Sequence, residues 1–133
     1  LAAAFEDAFG RNGWRGIWRN GIFDYHHYHT NAHEVLGIAG GRGRVQLGGP
    51  EGSEIAVAAG DCLILPAGTG HKRIEAGRDF LVVGAYPAGQ EPDLQRTAAS
   101  DDQLRAISTL PIPTTDPLLG AQGPLLRYWR SER

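Results

Sequence analysis

The stretch from Gly21 to Gly41 reads G-I-F-D-Y-H-H-Y-H-T-N-A-H-E-V-L-G-I-A-G-G and holds four of the chain's five histidines. Its pattern has a period of two, as in an extended strand. Phe23, Tyr25, His27 and His29 fall on one face; Asp24, His26 and Tyr28 fall on the other. Thr30-Asn31-Ala32 reads as a tight turn, with Asn31 suited to positive φ. Glu34 then returns on the next strand, with Leu36 and Ile38 also inward, so a hairpin brings its carboxylate beside two imidazoles. Neutral imidazoles and a carboxylate facing one way are a donor set for a transition metal ion. In Gly60 to His71, Pro66 and Gly68 turn the chain and present a further histidine, His71.

These two stretches resemble the two motifs of the cupin superfamily. The first matches at Gly21, His27, His29, Glu34 and Gly41, and the second at Gly60, Pro66, Gly68 and His71. Where the second motif closes on Asn, this chain has Glu75. The flanks, Trp18-Arg-Asn-Gly and Gly84-Ala-Tyr-Pro, resemble the bacterial YjlB-type cupins, and the likeness runs from about Gly13 to Trp129. It implies an all-β double-stranded β-helix, or jelly-roll barrel, with short flanking helices. It also implies one divalent metal ion (Fe, Mn, Ni, Cu or Zn) on His27, His29, Glu34 and His71. His26 and His33 have the wrong parity to join, which leaves them a surface place or a hydrogen bond to a ligand. Tyr25 shares the ligand face and is either a substrate contact or a core aromatic. Glu75 shares a face with His71 and Arg73 if that strand is regular. There it is either a catalytic base or the ion-pair partner of Arg73.

The rest of the chain fits one domain of 133 residues. Leu1, Phe5 and Phe9, spaced by four, make the apolar stripe of an N-terminal helix, with a connection to residue 15. Trp14 and Trp18 are expected in that connection, packed on the barrel exterior or on a partner subunit. Residues 16–88 read as short strands at near-even spacing, punctuated by many of the chain's 19 glycines. Residues 89–133 read as a capped helix, Asp101 to Ser108, and a proline-rich extended tail. That apolar tail is expected to dock on its own barrel or on a second copy, which favours a homodimer.

A net charge of −2 gives no footprint for nucleic acid. No apolar run approaches the ~18 residues of a membrane span. The lone Cys62 forms no internal disulfide, which is compatible with a reducing cytoplasm. A chain that begins at Leu1 and contains no methionine points to a natural N-terminus further upstream. The function expected is a metal-dependent enzyme on a small molecule, of dioxygenase or isomerase/lyase type. The alternative is a non-catalytic metal-containing binding or sensor domain, since one fold hosts both.

Overall fold

The computed structural model describes residues 1–129. The alanine-rich start forms α1 (Ala2–Arg11). Phe5 and Phe9 are buried with their rings 5.6 Å apart, whereas Leu1 precedes the helix and stays exposed. Strands β1 (Trp14–Asn20), β2 (Glu34–Gly40), β3 (Arg42–Leu47), β4 (Ser53–Ala58), β5 (Cys62–Leu65), β6 (His71–Ala76) and β7 (Leu81–Pro87) follow. They form two antiparallel sheets, ordered β1-β7-β2-β5 and β4-β3-β6. This is the all-β jelly roll that the alternation and the turns predict.

Two apolar layers hold the sheets. Between them, Leu36, Ile38 and Val82 of the larger sheet meet Val45 and Val57 of the smaller. On the outer face, Val35, Val83 and Ala85 pack against Phe5, Phe9, Trp14 and Leu125. β2 is thus buried on both faces through Ile38, which explains its unbroken apolar run. Each large side chain fully buried this way contributes about 1.5–3 kcal/mol.

Trp14 and Trp18 lie in β1 and not in a connection, and neither waits for a partner subunit. Four residues apart, they would share a face of a regular strand. They do not, because β1 carries one extra residue between Arg15 and Trp18 relative to β7. Gly16 takes up this bulge at φ +66, a conformation that favours glycine. Trp14 therefore joins the outer layer at 1% exposure, while Trp18 turns inward opposite Gly84. A Cβ on Gly84 would come within 2.1 Å of the indole, so only glycine lets Trp18 lie flat on β7.

The C-terminal segment docks on its own chain. Ser100 caps α2 (Asp101–Thr109) in a reciprocal box with Gln103, one residue longer than expected. Beyond the prolines the tail is not simply extended. Asp116, 1% exposed, accepts from the N–H groups of Leu118, Leu119 and Leu125, which folds the chain back into α3 (Pro124–Tyr128). Trp14 Nε1–H donates to Thr115 O and Asn12 Nδ2–H to Pro117 O, tying the tail to α1 and β1. Among the described residues no helix is long and apolar enough to cross a membrane.

Candidate metal centre

Residues 23–29 run alongside β6, although only His27 pairs as a bridge. His27 N–H donates to His71 O and His71 N–H to His27 O, at 3.2 and 2.9 Å, and Arg73 N–H donates to Phe23 O. The two cupin-like stretches are thereby locked side by side. The expected face is present: ring centroids step from Phe23 to Tyr25 (4.9 Å), to His27 (5.7 Å) and to His29 (5.8 Å).

The turn after His29 differs from expectation. Among the described residues no residue other than glycine has positive φ, Asn31 included. The bend is instead held from outside by Asp93. Its carboxylate accepts from Thr30 N–H (2.7 Å), Thr30 Oγ1–H (2.6 Å) and Asn31 N–H (3.3 Å), and its own N–H donates to Asn31 Oδ1. Partial burial would raise the Asp93 carboxyl, but the Thr30 donors outweigh it and hold it below the ordinary range.

The Nε2 atoms of His27, His29 and His71 converge. A ligand atom from each of these three rings lies within 4.8 Å of the others. Glu34, at the head of β2, brings Oε1 to 3.4 Å from His29 Nε2 and 3.1 Å from His71 Nε2. All three rings hold the same tautomer for the same reason. Each Nδ1–H donates to a backbone carbonyl: His27 to Tyr25 O (3.0 Å), His71 to Thr69 O (3.0 Å) and His29 to Asp93 O. The Nε2 lone pairs are left facing one another and facing a carboxylate. Such an arrangement is repulsive until a cation enters it. His29 Nε2 and Glu34 Oε1 are buried without a hydrogen-bond partner, so the donor set fits a metal ion.

The electrostatics agree. Burial, with the His71 charge beside it, pushes His27 down to about 4. Burial also pulls His29 down, but the Glu34 carboxylate outweighs it and leaves its pKa raised. Burial raises Glu34, yet His29 and His71 together bring it down to about 2.

Above these groups lies a cavity of about 340 Å³. Trp18, Ile22, Phe23 and Leu36 form its apolar wall, and Tyr86, Asp24 and Arg73 its polar one. Trp18 Nε1–H donates to the Tyr86 hydroxyl at 2.9 Å. Burial, then the nearby Glu34 carboxylate, raises the Tyr86 pKa, so its proton is held throughout the physiological range.

The other sequence candidates are placed as follows. Tyr25 is half-buried, stacks on Phe23 and carries the Arg96 guanidinium 3.7 Å above its ring, outside the cavity lining and outside both apolar layers. Glu75 is not on the His71 face. β6 has an extra residue, Ile74, where Val45 pairs Arg73 and Arg44 pairs Glu75. This bulge flips Glu75 to the outside, so the regular register behind both readings of it fails. Arg73 instead approaches Asp24 at 3.8 Å. His26 is half-buried with Nδ1 unpartnered, away from the cavity. His33 is fully buried, accepting from Ala67 N–H on Nδ1 (2.9 Å) and donating from Nε2 to Pro111 O (3.1 Å).

Sequence reasoning missed Trp18, Tyr86 and Asp93. The alternation Val82, Gly84, Tyr86 carries a signal for Tyr86; nothing local carries one for Asp93, 64 residues from His29. Because Asp93 fixes both the turn and the acceptor for His29, Asp93→Ala is expected to weaken metal binding by roughly 10–100-fold with the fold intact. Competition against a chelator measures this; an unchanged dissociation constant would count against the positioning role.

Residues 18–83 match the cupin domain family. The uncharacterized protein YjlB of Bacillus subtilis (strain 168) is 38% identical over 121 residues, which cover 90% of this chain and 73% of that protein. Among solved structures, acireductone dioxygenase from Bacillus anthracis, with a cadmium ion in its active center, has a TM-score of 0.49 at 18% identity. The match covers 69% of this chain and 63% of that one. DMSP lyase DddQ from Ruegeria pomeroyi DSS-3 has a TM-score of 0.49 at 19% identity, covering 61% and 41%. This chain spans less than two-thirds of either structure, and at such scores neither lends it a reaction. The two paired motifs, the two-sheet barrel around them and a relative that matches nine-tenths of this chain lead to one conclusion: this chain belongs to the cupin family.

Proposed function

We propose that this cupin holds one divalent transition metal ion on His27, His29, His71 and Glu34, and that it is an enzyme acting on a small molecule in the cavity above. The observation that supports this most is the shared tautomer: three Nδ1–H groups anchored on carbonyls aim three Nε2 lone pairs at one point beside Glu34. A bound metal would polarise a substrate oxygen or lower the pKa of a bound water, and iron would add dioxygen chemistry. The chain's own groups do the rest. The apolar wall excludes water, Tyr86 offers a retained O–H beside Glu34, and Trp18 holds that hydroxyl in place. An accessible cavity with polar groups converging on the ligands favours turnover over a storage or sensor role. Dioxygenase and isomerase or lyase chemistry both suit it. The reading includes a homodimer and a cytoplasmic setting. The exposed Ile17, Leu104 and Leu119 are apolar surface that a second copy would cover. Burial pushes the Cys62 thiol up to about 12, the behaviour of an inert core residue.

The test is proton-linked metal binding. His29, with its raised pKa, must give up a proton when the metal enters. Affinity is therefore expected to fall as pH drops through the His29 pKa, beginning above the ordinary histidine value of about 6.5. His27, near 4, adds competition only in more acidic solution. In the metal-free protein the sign reverses. The charged His29 opposite Glu34 stabilises the fold fully below about 6.5, and this is lost as pH rises through the raised value. Calorimetric titration with Zn²⁺ in two buffers of different ionisation heat measures the protons released. Equal apparent heats at neutral pH would rule out the Glu34–His29 arrangement.

A further inference from the structure

We propose that the ligand of this cavity is a small monocarboxylate, its carboxylate held by Arg73 while another of its oxygens reaches the metal centre. The second half rests on the metal reading above; the first half does not. Arg73 follows His71 by two residues on β6, and both face the cavity because the Ile74 bulge falls after them. Two strand steps separate their Cα atoms by about 6.5 Å, a span that a small bifunctional acid bridges. Arg73 is the only Arg or Lys among the residues lining this cavity.

Its guanidinium carries five N–H donors in a planar fork that matches a carboxylate. Among the described residues its one ion contact is Asp24 at 3.8 Å, too long for a hydrogen bond. The two side chains are 37% and 70% exposed, so this is a screened surface pair of about 0–1 kcal/mol that a ligand displaces easily. Trp18, Ile22, Phe23 and Leu36 line the same cavity and suit the organic part of such an acid. The cavity, at about 340 Å³, is at the small end of ligand sites, which run to about 1,000 Å³. The carboxylates of Asp24 and Glu34 on the same lining work against a dianion.

The experiment titrates the Zn²⁺-loaded protein, its metal content verified by elemental analysis, with lactate, pyruvate and mandelate, with the amides lactamide and mandelamide, and with phenyl phosphate. The acids are expected to bind at least tenfold more tightly than their amides and than phenyl phosphate. Arg73→Ala is expected to lose at least tenfold on the acids while keeping its Zn²⁺, and Arg73→Lys to recover part of that loss. Acids and amides binding alike, phenyl phosphate binding best, Arg73→Ala binding acids as the parent does, or no acid binding at all would each overturn the proposal. The acid–amide comparison is made within the parent protein, so it stands even if a variant fails to fold. The same titrations on metal-free protein separate the two readings. If Zn²⁺ does not load, the metal reading fails, and an Arg73-dependent preference for acids still supports the carboxylate site. Its absence there would end both.

Discussion

Alanine at His27, His29, Glu34 or His71 is expected to leave a folded protein that has lost its metal. His27, His29 and His71 each place a ligand atom within 4.8 Å of the others, Glu34 Oε1 stands 3.4 and 3.1 Å from His29 and His71 Nε2, and no other residue joins this group among those described. The loss should exceed the roughly 10–100-fold typical of outer hydrogen-bond partners, so more than 100-fold in affinity is expected for each. Removing Glu34 has a second effect. The carboxylate that holds the His29 pKa up is gone, so the proton released on metal binding should disappear as well. His26→Ala is the control, since His26 lies away from the cavity and should keep its metal. Elemental analysis with chelator competition distinguishes these variants. A Glu34→Ala protein that retained full metal while His26→Ala lost it would show that the register of the first motif is wrong.

His33→Ala should damage the fold more than any of those four. The residue is 0% exposed and joins two distant segments, with Ala67 N–H on one nitrogen and Pro111 O on the other. Truncation leaves a buried donor unpaired and a hole where the ring was. Together these are expected to cost about 2–5 kcal/mol. Ala67 lies in the Pro66–Gly68 turn that presents His71, so metal affinity should fall too, though the ligands are untouched. The sequence suggests for His33 only a surface place or a hydrogen bond to a ligand; its structural role is to clamp that turn to the tail. A shift of the urea midpoint with an unchanged slope checks the stability loss. A midpoint within experimental scatter of the parent would sink this assignment.

The family, the barrel and the place of His71 were legible from the resemblance of two motifs to those of cupins, and the shared face of His27 and His29 from local spacing. A pair of residues two apart on a regular extended segment, such as His27 and His29, shares a face. The same logic placed Leu36 and Ile38 inward and read the Ser100–Gln103 cap correctly. It failed at Glu75 because β6 is not regular there, and it did not see that Trp14 and Trp18 lie in a strand at all. A single extra residue in β1 and another in β6 invert the parity of everything beyond them. A bulge depends on the partner strand, which a linear reading does not see. Asp93 was out of reach for a related reason, since its bonds to Thr30 and Asn31 span more than sixty positions. The tail's attachment to Asn12 and Trp14 spans about a hundred.

The three carbonyl acceptors behind the imidazoles belong to Tyr25, Thr69 and Asp93, but they are main-chain atoms that every amino acid possesses. Exchanging Tyr25 or Thr69 alters a side chain and leaves the acceptor where it was. The aim of the imidazoles is therefore shielded from ordinary mutational drift as long as the backbone path persists. The cavity wall has no such protection, because Trp18, Phe23 and Arg73 act through their side chains. A lineage built this way can change what it accepts, one wall residue at a time, without having to reinvent the cation cradle beneath.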